Sequence, residues 1–366
     1  MMCKEIYINK NQRFDGCDFV IQLDETRRGT PARLLQITDM QFIDSSQMRK
    51  PDRLRRDEII AWAPENFMSQ CGNHILSLVS QTSPDLIFIT GDIIYGSFDD
   101  KGTTLDWFCS FMDSLCIPWA PVFGNHDNES ALGVDWQCQR LQRSEYCVFK
   151  RGDVSGNSNY SVGIAMGDEL IRVLHMVDSN GCRRGEHPSV IPTAGIYADQ
   201  LDLIEKNTKA LRQAQGKDIP AFMAFHIPTE CFLLAETEKG YLTPDRTCYT
   251  LGVDVPASYG DFGFRYESPK PTISTDLDLL SFCKEQSIDG VFVGHCHRIS
   301  TCIRYMGISF VYGLKTGQYD YHLPGSLGGT LITLEGEDFG VSYVPSLVPY
   351  APMPGGAEIF KDLLIQ

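Results

Sequence analysis

Leu86-Ile87-Phe88-Ile89-Thr90-Gly91-Asp92 is a run of apolar, β-prone residues closed by Gly-Asp. Such a run reads as a buried strand that delivers one carboxylate to the end of a sheet, where α/β folds bind ligands. A single Gly-Asp after a strand is usually just a turn. Four other strand ends, however, finish in residues able to ligate metal: Thr38-Asp39-Met40-Gln41, Gly124-Asn125-His126-Asp127, Phe225-His226 and Gly294-His295-Cys296-His297. Asp92 is the leading functional candidate among them.

The 366 residues exceed the usual single-domain size, but large α/β domains reach this length and no linker interrupts the chain. It reads as one domain over 1–366, with an N-terminal edge hairpin within 1–30 and an insertion loop over 236–275. With 43% hydrophobic and 22% charged residues there is enough apolar material for a sizeable core. The net charge of −15 argues against binding a nucleic-acid backbone or an anionic membrane. The 13 cysteines are odd in number and include no Cys-x-x-Cys pair, so most of them read as buried small apolar residues. The N-terminal residues lack the apolar run of a secretory signal, and no stretch is long enough to span a bilayer. The expectation is a cytoplasmic protein.

Around the Asp92 strand, Leu34–Thr38 reads as the first core strand, and apolar positions from Ile59 to Leu78 recur at helical spacing. Leu105–Leu115 reads as a helix and Trp119–Phe123 as the strand presenting Gly124-Asn125-His126-Asp127. This is a strand–helix–strand rhythm. Tyr160–Ile164 and Leu170–Val177 read as paired strands, Ala198–Ala214 as a helix, and Ala221–Phe225 as the strand delivering His226. Asp276–Gln286 is helical by pattern and precedes the strand Gly290–Val293. Ile308–Tyr312, Gly329–Leu334 and Gly340–Val344 are expected in a second sheet.

The five blocks, in this order, resemble the calcineurin-like metallophosphoesterase superfamily, whose pattern is Asp-x-His, Gly-Asp, Gly-Asn-His-Asp/Glu, His and Gly-His-x-His. The resemblance runs from about Arg33 to about Tyr312 and departs from the pattern at Gln41, where the first block usually ends in His. It implies a four-layer α/β/β/α sandwich of two mixed sheets flanked by helices. It also implies a dimetal phosphoesterase, hydrolysing a phosphate ester by in-line attack of metal-bound hydroxide. Asp39, Asp92 and His297 would hold one metal, and Asp92, Asn125, His226 and His295 the other. Asp92 would then be the bridge. Imidazoles and an amide carbonyl suit iron, manganese or zinc better than magnesium or calcium. The resemblance makes His126 the general acid, with Asp127 orienting its ring.

Gln41 is a poorer ligand than imidazole, and Tyr95 is a candidate replacement. Gly91-Asp92-Ile93-Ile94-Tyr95 resembles the Gly-Asp-x-x-Tyr of purple acid phosphatases, a branch in which the phenolate binds ferric iron. A Tyr at such a place is also commonly a packed aromatic. Arg183 and Arg184 either clamp a substrate phosphate or form a solvated charge pair. Tyr241, Tyr249, Tyr259, Phe262, Phe264 and Tyr266 either cover the site as a lid or fold the insertion onto the body. The resemblance implies a small-molecule or protein phosphate ester as substrate. The alternative function is a catalytically weak metal-binding scaffold of the same fold.

Overall fold

In the computed structural model the described residues are 6–8, 12–24, 26, 29–44, 69–99, 101–181, 194–257, 260–268, 278–323 and 325–348. The strand containing Phe88 is Leu86–Thr90 (β4), and all five of its residues are buried. A strand with no exposed face needs a layer on either side, here a second sheet on one and helices on the other. It pairs in parallel with Ala32–Ile37 (β3) and Trp119–Val122 (β5). Strands Gly328–Glu335 (β14) and Asp338–Pro345 (β15) complete a five-stranded mixed sheet in the order β15-β14-β3-β4-β5.

Ten strands form the second sheet. Ile6–Ile8 (β1) and Phe19–Leu23 (β2) are an antiparallel hairpin at its edge. Tyr160–Met166 (β6), Glu169–Met176 (β7), Ala221–Ala224 (β8) and Ile288–Val293 (β11) continue it. Ile308–Tyr312 (β13), Ile299–Tyr305 (β12), Phe262–Arg265 (β10) and Tyr249–Thr250 (β9) complete the order β1-β2-β6-β7-β8-β11-β13-β12-β10-β9.

The two sheets face each other through Phe88 and Phe292, whose rings meet edge to face at 5.5 Å. Gln36 reaches across the same gap, donating to Thr90 Oγ1 at 2.9 Å and to the Val293 carbonyl at 3.0 Å. On the outer face of the small sheet lie Ser69–Thr82 (α1) and Thr103–Ser114 (α2), whose Ile75, Leu78, Leu105 and Phe108 join the main core. Ala198–Gln215 (α4) and Leu279–Glu285 (α6) bring Leu201, Ile204, Leu211 and Leu279 to a second core with Val173, Met223 and Val291 of the large sheet. The result is two mixed sheets flanked by helices, as the family resemblance implied. The helices Gly133–Gln142 (α3) and Glu230–Glu238 (α5) were not foreseen.

Three details differ from the sequence reading. Gly329–Leu334 and Gly340–Val344 return to the first sheet, β14 pairing antiparallel with β3. The insertion is not structureless: β10 pairs with β12, Tyr241 and Tyr249 are buried, and Phe262 packs on Tyr343 at 5.2 Å. These aromatics fold the segment onto the body; Tyr259 lies outside the described residues. The helix expected from Ile59 is described only from Ser69, since 45–68 also lie outside them. Of the ten cysteines whose side chains are described, all free, six are buried, in line with the reading of most of them as packing residues.

Candidate metal centre

β3, β4 and β5 run parallel in the five-stranded sheet and β8 and β11 run parallel in the ten-stranded sheet, and the loops that follow these strands meet at one end of the sandwich. Asp39, Gln41, Asp92 and His295 all take positive φ, at 53°, 49°, 52° and 69°. Non-glycine residues rarely adopt this region, and when they do the surrounding structure imposes it. Close approach also fixes two glycines. A Cβ on Gly124 would lie 2.2 Å from Asp92 Oδ1, and one on Gly294 would lie 2.1 Å from Thr38 Oγ1 and 2.6 Å from Asp39 Oδ2.

Side-chain oxygens and nitrogens of Asp39, Asp92 and His226 come within 4.8 Å of one another, all three residues buried. The outer atoms of both carboxylates are pinned by backbone: Asp92 Oδ1 accepts from the His126 N–H at 2.9 Å and Asp39 Oδ2 from the His295 N–H at 3.0 Å. Their other oxygens face imidazoles. His226 Nε2 is 3.2 Å from Asp92 Oδ2, and His297 Nε2 is 3.2 Å from Asp39 Oδ1. The His295 ring stands edge to face against His226, 5.2 Å between centroids.

Two observations test whether these residues fit a metal. His226 Nδ1 is 2.7 Å from the Thr90 carbonyl and His297 Nδ1 is 2.9 Å from the Tyr321 carbonyl. Donation there from Nδ1 orients each ring with Nε2 turned inward, the orientation metal-ligating histidines ordinarily have. Asn125 is fully buried, and neither Oδ1 nor Nδ2 finds a hydrogen-bond partner among the described residues. An unsatisfied buried amide costs about 1–3 kcal/mol, so a site needing its oxygen explains its position. The donors fit a metal centre.

The electrostatics agree with a cation site. Burial, the largest influence on Asp39, works to raise it, but the hydrogen bond from His297 and the charges of His297, His226 and Lys315 together hold it well below the usual carboxylate range. Asp92 is likewise opposed by burial, yet the charges of His226 and His126 lower it to about 2. Burial disfavours a charged His226, but Asp92 raises it to about 9. Asp127 is pushed up to about 7 by burial and by the charge of Asp92.

Asp127 does not orient the His126 ring. Its Oδ2 accepts from the Gly124 N–H at 2.7 Å and its Oδ1 from the Ile94 N–H at 3.0 Å, tying the β5 loop to the β4 loop. The carboxylate on His126 Nδ1 is Glu129 Oε2, at 2.8 Å. His126 begins a short 3-10 turn, Asp127–Glu129, which turns the third residue back toward the ring and leaves its neighbour facing backbone. Tyr95 is buried, its ring lying 4.2 Å from His126 and 5.3 Å from Phe98 between centroids. Arg183 and Arg184 lie outside the described residues.

Gln41 sits between opposite charges. Its Oε1 accepts from Lys315 Nζ at 2.8 Å while its Nε2 donates to Asp92 Oδ2 at 3.4 Å. The sequence reading missed both Glu129 and Lys315. Glu129 could have been found from its (i, i+3) spacing to His126; Lys315 carries no local signal.

A family model described as calcineurin-like phosphoesterase matches residues 32–298, more than half of the chain. The chain belongs to the calcineurin-like phosphoesterase family. Among curated relatives, a probable inactive purple acid phosphatase of Arabidopsis thaliana is 23% identical over 81% of this chain and 74% of its own length. Phosphatase DCR2 of Saccharomyces cerevisiae is 28% identical over 60% of this chain and 37% of its own length. A solved dimetal phosphatase from Danio rerio shares 14% identity at a TM-score of 0.51, covering 86% of this chain and 96% of that one. That likeness shows the metallophosphoesterase fold. No described helix is long and apolar enough to cross a membrane.

Proposed function

We propose that this chain is a metal-dependent phosphoric ester hydrolase. The observation that carries the reading is Asn125, a fully buried amide with no partner among the described residues, beside the Asp39, Asp92 and His226 cluster. In this reading Asp39, Asp92 and His297 hold one ion, and Asp92, Asn125, His226 and His295 the other. Bound cations of this kind supply Lewis acidity and activate water. The donor set suits iron, manganese or zinc.

The chain's own residues do the rest. Asp92, with Oδ1 on the His126 N–H and Oδ2 3.2 Å from His226 Nε2, would be the ligand shared by the two ions. Asn125 presents an amide to the phosphoryl oxygens as well as to an ion. His126, buried and held by Glu129, protonates the departing alkoxide. Tyr95 backs the His126 ring, and a ferric ion bound by its phenolate would colour the protein. A colourless protein whose two ions persist in Tyr95→Phe would exclude that form.

The test is turnover of phosphate monoesters and diesters by metal-loaded protein, with Asp92→Asn as control. A second reading, a metal-binding scaffold of low activity, is favoured by the word inactive in the Arabidopsis relative's name and by Gln41 in place of His. Ion binding without turnover of any ester would select it.

A further inference from the structure

The Asp39 side of the centre contains a charge that no cation site needs. Lys315 is 2% exposed, and its Nζ donates to the Asp39 carbonyl at 2.6 Å and to Gln41 Oε1 at 2.8 Å. Backbone holds it there: the Thr316 N–H donates to the Thr38 carbonyl at 2.9 Å, the Thr38 N–H to Thr316 Oγ1 at 3.1 Å, and the Gly328 N–H to the Lys315 carbonyl at 2.9 Å. A Cβ on Gly317 would meet the Met40 carbonyl at 2.2 Å, so the loop after β13 runs flush against the Asp39 loop. A lysine so enclosed cannot swing its ammonium into solvent.

The ammonium also fixes Gln41. An ammonium only donates and a carboxylate only accepts, so Lys315 and Asp92 together turn the amide oxygen to Lys315 and the NH2 toward Asp92. The atom of Gln41 that could ligate a metal is the one Lys315 engages. Charge placement points the same way. Lys315 sets its positive charge against the Asp39 loop, so a cation held by Asp39 and His297 meets a nearby ammonium at short range and low local dielectric, more closely than one held at Asp92 and His226 does.

We infer that Lys315, acting with Gln41, makes the two metal positions unequal: one ion binds tightly at Asp92, Asn125, His226 and His295, and the second binds weakly at Asp39 and His297. Lys315 is a positioning residue in this scheme and touches no substrate. The inference rests on the proposed metal centre. It would make the active state depend on the free concentration of the second cation, which gives this site a regulatory input.

The test is titration of metal-stripped full-length protein with manganese, read by calorimetry and by metal analysis after gel filtration. Wild type should retain one ion per chain through the column and take a second at least about tenfold more weakly. Lys315→Met, and the milder Lys315→Gln should the first fail to fold, should tighten the second step by about 10-fold to 100-fold, the range typical of residues behind a metal's ligands. Two ions of equal affinity in wild type, or a second step unchanged in a folded Lys315 variant, would overturn the inference while leaving the metal centre standing. No ion retained by wild type, matching Asp92→Asn, would overturn the centre itself and this inference with it.

Discussion

Glu129 Oε2 lies 2.8 Å from His126 Nδ1, and both side chains are about 5% exposed. A carboxylate behind an imidazole fixes its ring and supports its protonated form. Glu129→Gln should therefore slow hydrolysis of alkyl phosphates by about 10-fold to 100-fold, with bound metal unchanged. The loss should shrink with p-nitrophenyl esters, whose leaving group needs little protonation. Equal losses on both substrates would assign Glu129 to folding alone.

The ligand-bearing loops were legible because each follows an apolar run, and the strands of both sheets end at the same end of the sandwich, which gathers Asp39, Asp92, Asn125, His226, His295 and His297. The partner of His126 was misassigned because Asp127 is adjacent in sequence, whereas a 3-10 turn presents the third residue. Lys315 was invisible because it meets Asp39 only through sheet packing, 276 residues away. β14 and β15 were sent to the wrong sheet for a related reason. Alternation identifies a strand but not its partner, and β14 pairs with β3 far back in the chain.

Metal binding should release a proton near neutral pH. Burial opposes the charged form, yet Asp92 raises His226 to about 9, so without metal the ring is protonated at pH 7. A metal ligand must be neutral. Apparent affinity should rise about tenfold per pH unit for this proton and level off near pH 9. Calorimetry at pH 7 in buffers of different ionisation enthalpy would count it. An absence of proton release would place His226 outside the ligand set.

Acid should destabilise the fold through His175, a buried imidazole near the C-terminal end of β7 whose register partner on β8 is Met223. Burial lowers it from 6.5 to about 4, with Ser161 Oγ 2.8 Å from Nδ1. The depressed value means that the native state binds fewer protons than the unfolded chain, so stability is present above about pH 6.5 and is lost as pH falls toward about 4. The loss is about 3 kcal/mol in all. Denaturant unfolding of wild type and His175→Gln at pH 7.5 and 4.5 should show a smaller acid loss in the variant. Identical losses would contradict this assignment.

The contact between sheets can be probed at Phe292, fully buried against Phe88 and, at 5.1 Å, Phe222. Phe292→Ala should cost about 3–5 kcal/mol in urea unfolding. A cost below about 1 kcal/mol would mean that the sheets do not pack through these rings.

The most direct measurement is hydrolysis of p-nitrophenyl phosphate and its bis-ester by metal-stripped protein refilled with manganese, iron or zinc, with Asp92→Asn alongside. The proposed hydrolase predicts turnover that returns with metal and is absent from the Asp92→Asn protein. Stoichiometric metal binding by wild type with no turnover of either ester would contradict it and leave the scaffold reading in its place.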